Sequence, residues 1–456
     1  MPIQLLAIAK NTFVESVRQP IYFVLLMAGL VLQAFNILLS AYSMGYSDSS
    51  EVSGDNKLLL DMGLATVFVI VTLLAALICT AVLSREIENK TVLTVISKPV
   101  SKPTFVVGKY LGATAAIVLA TFIQLIFLQF AIRQKVMSTA SDHIDPVVVV
   151  FLGLSLILSI GIGAWANYFY GWVFSSTTVY VLTPAITIAL AITYLINKHW
   201  QIQPISTDFK PQIVLASLTL LLSTPIIAAV ALAASTRLGQ VMTIVICVGV
   251  FLLGLMSNYF FGRHAFHNTP FATIKEVEPI HDRDGDFRDG GDIWRLKLDG
   301  PASTTLAPGM TIYYGPTPDG VGLAVPPQRP FPVDSDVNDP ATYNRPGVQR
   351  NIVLKEVEPV VQDYHHIQIL NAGNMTPTHA PRVGDFLFTT PTRINWPARA
   401  AWTIVPNLQF FWLVDAITQT HPIPMRYVGL VAAYSGVQVI GLLSLSVMLF
   451  QRREVG

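Results

Sequence analysis

Eight stretches of this 456-residue chain are apolar for about the length that crosses a bilayer, and they constrain the fold more than anything else in it. A hydrocarbon core about 30 Å thick takes roughly 20 apolar residues in helical form. Inside it, a backbone satisfies its own N–H and C=O groups only as a helix or a closed barrel. The stretches are 21–44, 61–84, 111–134, 146–170, 172–196, 213–235, 240–261 and 427–450. Residues 146–196 form one continuous apolar run, divided here at 168–176, where polar and aromatic residues suit a tight turn. A single soluble globule is excluded, since only 12% of the chain is charged against about 25% in an ordinary soluble domain. The expected fold is therefore a polytopic α-helical membrane protein of about eight transmembrane helices, with one soluble insertion. No cleavable signal peptide is expected, because the first apolar run follows a polar amphipathic segment and is too long for a signal core.

The net charge of +1 leaves no basic field for nucleic acid. The positions of the charges say more than their sum. With the N-terminus cytoplasmic, Lys10, Arg18, Arg85, Lys90, Lys98, Lys102, Lys109, Arg237, Arg452 and Arg453 fall on the cytoplasmic side. The opposite short loops hold Lys57, Arg133, Lys135, Lys198 and Lys210. The excess predicts both termini in the cytoplasm. Arg133 and Lys135 run against it and are expected to snorkel from a helix end. Trp165, Tyr168, Tyr170 and Trp172 at one turn, and Trp200, Tyr259, Phe260 and Phe261 elsewhere, read as interfacial anchors. Cys79 and Cys247 lie in apolar runs and read as small buried hydrophobes.

Residues 263–399 are different in kind: polar, rich in Pro, Gly and Asp, with no spanning segment. Alternating runs at 294–298 and 366–370 predict strands, and Asp-Gly pairs at Asp284, Asp289 and Asp319 predict turns. A string repeats here: Lys275-Glu276-Val277-Glu278-Pro279 recurs as Lys355-Glu356-Val357-Glu358-Pro359. Further on, 308–313 has a counterpart in 383–388. The insertion is expected to be a small all-β barrel or sandwich of two similar halves, outside the cytoplasm.

Two segments draw attention for function. Residues 5–19 place Leu6, Ala9, Phe13 and Val17 on one helical face, which suits a helix lying in the membrane interface or an ordinary short leader helix. The loop after the second span carries Arg85, Glu86, Glu88 and Lys90, then Val92, Val95 and Ile96 at helical spacing, then Pro99. A short surface helix that passes force from a docked partner and a plain positive-inside loop both fit. The His residues of the β insertion (His264, His267, His281, His365, His366 and His379) follow no ligand spacing, and no metal site is assigned to them.

The string Arg85-Glu86-Ile87-Glu88, Thr91, then 96–103 and Gly108-Lys109-Tyr110 resembles the coupling-helix region of ABC-2 type permeases, in the subgroup similar to the permease of nitrous oxide reductase maturation. Residues 234–238 resemble that family's turn between core helices, and 406–411 with 450–454 resemble its external re-entrant segment and cytoplasmic end. The resemblance implies a dimeric permease of the bacterial cytoplasmic membrane, paired with a cytoplasmic ATP-binding subunit that carries the ATP and Mg. By position it implies that Arg85, Glu86, Glu88, Thr91, Lys98 and Pro99 contact that subunit, and that Pro406, Asn407, Phe410 and Phe411 form the external re-entrant segment. Lys90 stands where the family commonly has Gly, and two spans and the β insertion exceed its common core of six helices. The expected organisation is an interfacial helix at 1–20, spans at 21–262 with a coupling loop at 85–109, the β insertion at 263–399, a re-entrant stretch at 400–425 and the last span with its tail at 426–456.

No phosphate-binding Gly-x-x-x-x-Gly-Lys-Ser/Thr loop or His-Glu-x-x-His pair is present, so the chain is expected to be no enzyme and to bind no cofactor itself. The spans hold almost no ionisable residues, with Asp61 expected at a helix end, whereas ion-coupled carriers usually place carboxylates at the midplane. Energy is therefore expected from outside the membrane. A membrane scaffold whose β insertion recruits a partner protein, and a secondary carrier, are the other readings.

Overall fold

The computed structural model describes residues 2–40, 51–84, 101–135, 144–282, 285–328, 336–337, 339, 351–358, 365–373, 379–418 and 423–452. The chain forms two compact units, Met1–Leu255 with Leu408–Gly456, and Met256–Asn407.

The first unit is helical. It contains α1 (Pro2–Arg18), α2 (Pro20–Ser40), α3 (Glu51–Cys79), α4 (Lys102–Gln134), α5 (Pro146–Tyr170), α6 (Phe174–Leu195), α7 (Pro211–Ser235) and α8 (Gln240–Leu255). After the second unit come a 3-10 turn, Leu408–Phe411, a short helix, Val414–Thr418, and then the closing helix Met425–Gln451. Among the described residues seven helices are long and apolar enough to cross a membrane, and counting α8 with the bent continuation 258–265 gives eight. With the separate β unit, this is a polytopic helical membrane protein carrying an inserted β domain.

The long apolar run does break where expected. Gly171 adopts φ +66° and its N–H bonds Asn167 O, ending α5. That left-handed conformation suits a residue with no Cβ. Other boundaries differ from expectation. The run 240–261 is α-helical only to Leu255, 16 residues or about 24 Å, short of a full core. Beyond it Asn258–Gly262 is π-helical. The Asn258 carboxamide oxygen there accepts from Trp402 Nε1 (3.0 Å) and Asn407 Nδ2 (2.6 Å), which holds a polar side chain where the regular ladder gives way. The third span starts nine residues before its expected position, so 102–109 is helix and not loop. Ser101 caps it, accepting from Thr104 N, and Pro103 sits in the first turn, where no N–H is needed. At 33 residues, α4 is about 50 Å long. Asp61 lies well inside α3 and not at its end.

Polar side chains inside the helical unit mostly satisfy themselves locally. The hydroxyls of Thr72, Thr80, Thr121 and Thr193 each donate to the carbonyl four residues back, at 2.7 to 2.8 Å. This keeps their hydrogen-bonding groups away from the apolar surroundings.

The second unit is a curled antiparallel sheet in the order β4-β7-β2-β3-β6-β5, with a separate pair β1-β8. The strands are β1 (Phe266–His267), β2 (Ala272–His281), β3 (Ile293–Leu298), β4 (Tyr313–Gly315), β5 (Ile352–Val357), β6 (His366–Asn371), β7 (Phe386–Phe388) and β8 (Arg393–Ile394). The helix α9 (Trp396–Ile404) follows. The repeated string is a structural repeat. Its first copy lies on β2, and residues 355–357 of its second lie on β5; the two strands flank the central pair β3-β6. Both copies carry a bulge at the same place, between Ile274 and Glu276 and between Leu354 and Glu356. The second similarity is structural too. Gly309 N donates to Leu354 O (2.8 Å), and Gly384 N donates to Ile274 O (2.9 Å). Leu354 N returns a bond to Met310 O, and Ile274 N to Asp385 O. Both glycines have positive φ, +87° and +92°. Each half of the sheet is thus completed by the closing segment of the other half. Leu296, Leu298, Leu354, Ile367, Ile369 and Leu387 are fully buried in the shared core.

Candidate functional site

The segment of clearest functional interest lies where α1 meets α4. Of the apolar face that periodicity gives α1, Leu6 is 66% exposed and Val17 is buried, and the small polar Thr12 and Ser16 are buried with Val17. The reason lies on α4. Gly108 and Gly112 stand one turn apart, and both lack the room for a side chain. A Cβ on Gly108 would sit 2.8 Å from Ile8 Cγ2. One on Gly112 would sit 2.6 Å from Thr12 Cβ and closer still to the Ala9 carbonyl oxygen. The two backbones touch through a small-x-x-x-small face, in which short residues are what matter and hydrophobicity is secondary. Helical apolar periodicity could not find this face. The signal that could have was the Gly-Lys-Tyr-Leu-Gly spacing itself.

Further bonds tie the assembly together. Lys109, between the two glycines, is buried, with Nζ 3.8 Å from Glu15 Oε2 and 5.7 Å from the Phe105 ring centroid. The Tyr22 hydroxyl of α2 donates to Ala116 O on α4 (2.8 Å). Ser175, at the start of α6, donates to Arg18 O at the end of α1 (3.0 Å). The Tyr110 hydroxyl donates to Pro225 O in α7 (3.0 Å). The first half of α4 is therefore fixed to α1, α2 and α7. The predicted contact residues Arg85, Glu86, Glu88, Thr91, Lys98 and Pro99 lie outside the described residues. The two ends of their loop are described: the π-helical turn Thr80–Ser84 that closes α3, and the Ser101 cap that opens α4.

The other predicted residues divide between the two units. Pro406 and Asn407 are buried in the second unit, where Asn407 bonds Asn258. Phe410 and Phe411 belong to the first, in the 3-10 turn set among the helices. The Phe411 carbonyl accepts from Thr219 of α7 (3.4 Å), and the Phe410 carbonyl from Tyr427 (2.8 Å). Irregular backbone of this kind is tolerated among spanning helices where protein groups satisfy it.

At the far end of α4, Arg133 does not snorkel. Its side chain is 4% exposed, 3.4 Å from Asp145 Oδ2 and 3.3 Å from Asp208 Oδ2, and it donates to the carbonyls of Thr193 and Ile196. Asp145 also caps α5 through Val147 N (3.0 Å).

The sheet of the second unit carries its charges outside. Arg295 lies 2.9 Å from Glu358 and 3.3 Å from Glu278, and Lys297 lies 3.0 Å from Glu276. Hydrogen bonds from Gln368 and then Arg295 hold the Glu358 carboxyl below its ordinary value, while burial pushes that of Asp292 up. His379 packs edge-on against the Tyr314 ring and lies 3.8 Å from Asp385. Among the described residues no three His, Cys, Asp or Glu side chains are grouped to hold a metal.

Residues 6–169, from α1 to the end of α5, match the family model described as ABC-2 family transporter protein. No curated protein and no solved structure matches the chain. The match supports a multi-pass membrane permease component of an ABC transporter, a class that works with an ATP-binding subunit and generally lacks an ATP site of its own. It takes in the whole α1–α4 contact and the loop before it.

Proposed function

We propose that this chain is the membrane-spanning subunit of an ABC exporter, driven by a separate ATP-binding subunit that docks on the loop between α3 and α4. The observation that carries the reading is the backbone contact of α1 with Gly108 and Gly112, just beyond that loop. It makes the start of α4 part of a stiff assembly, so a push on the loop is passed on to α1, α2 and α7 instead of being absorbed locally. In this reading Arg85, Glu86, Glu88, Thr91, Lys98 and Pro99 form the docking face, ATP and Mg stay in the partner, and two permease copies pair. The protein lies in a bacterial cytoplasmic membrane with both termini inside and the β unit outside, and kinship with the nitrous oxide reductase maturation subgroup belongs to the same proposal. Termini on one side require an even number of crossings, so α8 and 258–265 cross together. Leu408–Phe411 acts as the external re-entrant segment. The elaborated β unit supports a second reading, in which that unit recruits a partner protein and the helices serve as its scaffold.

The test is purification of the full chain in mild detergent, with mass spectrometry of co-purifying proteins. A stoichiometric ATP-binding subunit is expected, reduced at least tenfold by Glu86→Gln together with Glu88→Gln, while the chain's own elution is unchanged. An ATP-binding subunit retained in full by the double variant removes the loop from the docking site. Its absence from the wild-type chain moves the reading to the scaffold.

A further inference from the structure

At the opposite end of the bundle, α4, α6 and α7 enclose a cavity of about 260 Å³. Its rim is apolar and faces outward, with Phe122 38% and Leu218 39% exposed on spanning helices. Its inner wall holds three buried polar side chains in one chain of hydrogen bonds. The Tyr194 hydroxyl donates to Gln129 Oε1 (3.4 Å), Gln129 Nε2 donates to Ser217 Oγ (3.2 Å), and Ser217 donates to Ile213 O (2.9 Å). An apolar cavity with a few convergent polar groups is the usual form of a small-molecule site.

The depth of these groups narrows the ligand. Gln129 lies five residues before the end of α4, or about 7 Å along the axis. Arg133 and its carboxylates come one turn later, and exposed Trp200 and Lys210 lie on the segment between α6 and α7. The polar wall therefore sits just inside the charged boundary of the membrane, at the depth of lipid ester groups, with apolar walls running inward from it. Lys210 is exposed and adjoins Phe209, which lines the cavity.

We propose that this cavity binds one anionic glycerophospholipid from the surrounding leaflet. One acyl chain lies along Phe122, Leu125, Leu218 and Leu221. An ester carbonyl accepts from the second N–H of the Gln129 amide, whose first goes to Ser217, and the phosphate faces Lys210. The site is independent of how the transporter is driven.

The test uses the full chain in phosphatidylcholine nanodiscs containing a trace of phosphatidylglycerol with a photoactivatable diazirine in one acyl chain. Labelling is expected on peptides containing Phe122–Gln129 and Val214–Leu221, and excess unlabelled phosphatidylglycerol should saturate it. Ser217→Trp fills the cavity and should reduce that labelling about tenfold, while labelling of the outward α5 face at Leu154 and Ile157 stays constant. Gln129→Leu keeps the side-chain volume and should reduce it several-fold, which keeps the test valid if the larger substitution does not fold. Lys210→Gln should abolish the preference over a phosphatidylcholine probe. Labelling that is unsaturable, or unchanged in a folded Ser217→Trp or Gln129→Leu variant, reduces the cavity to ordinary lipid contact and overturns the site. Equal labelling of the wild-type chain by the phosphatidylcholine probe overturns the anionic assignment.

Discussion

Arg133 and Arg295 are each held between two carboxylates, in opposite settings. Arg133 joins the end of α4 to Asp145 and Asp208 with its side chain 4% exposed. Arg295 lies across the outer face of the sheet, 38% exposed, between Glu278 and Glu358. In the helical unit a charge is buried among groups from separate segments, and taking it away leaves the buried Asp145 without its cation. In the β unit the charges decorate a sheet whose cohesion comes from the apolar side chains beneath. Similar side-chain chemistry therefore carries very different weight in the two units.

That contrast can be broken most sharply at Arg133. Arg133→Met leaves Asp145 and Asp208 without their cation and should cost about 3–5 kcal/mol, read as a large drop in thermal midpoint of the full chain in detergent. A drop no larger than that of Arg295→Met would erase the distinction. Next comes the backbone contact. Gly112→Leu should cost about 1–3 kcal/mol from overpacking, whereas Gly153→Leu, where a Cβ meets nothing within 4 Å, should be close to neutral in the same assay. Equal effects would mean that α1 does not depend on the glycine face. Smaller still, Gly384→Ala and Gly309→Ala each place a Cβ at positive φ, costing about 1 kcal/mol. Hydrogen exchange of the full chain should show matching losses of protection, at β2 for the first and β5 for the second. Losses confined to one site would sharpen the picture against the symmetry of the halves.

The smallest effect is that of pH on Glu358. Its folded-state value is lowered, so the stability it contributes is fully present above the ordinary carboxyl value of 4.5 and disappears as pH falls through the folded value. Asp292, pushed up by burial, works with the opposite sign in the same range. The quantity to measure is therefore the difference between wild type and Glu358→Gln in sheet protection. It should be present at neutral pH and vanish in acid. A constant difference would detach Glu358 from the ladder.

Hydropathy made the spanning helices legible, since length and apolarity are all a bilayer asks of a span. The duplicated string made the β halves legible, while the bulge that both copies carry beside Lys275 and Lys355 was not read from it. What escaped were features set by closeness and pairing. The packed face of α1 uses Thr12 and Ser16 because Gly108 and Gly112 bring the backbones together, and an apolarity pattern looks past small polar residues. Arg133 reads as a snorkelling end residue because Asp208, one of its partners, lies 75 positions away in sequence. The break after Leu255 depends on Asn258 meeting Trp402 and Asn407, a pairing that local sequence does not hold.

The interlocked halves of the sheet also have a consequence in time. β2 finds the partner for its Ile274 edge only when residues 384–388 arrive, more than a hundred positions later in the chain. During synthesis the first hairpin must wait, with open strand edges, until nearly the whole insertion has emerged. Contacts of such long sequence separation fold slowly and leave edges open to wrong pairing. Maturation of this protein is therefore expected to be limited by closure of the sheet, and the waiting hairpin is where a folding helper would act.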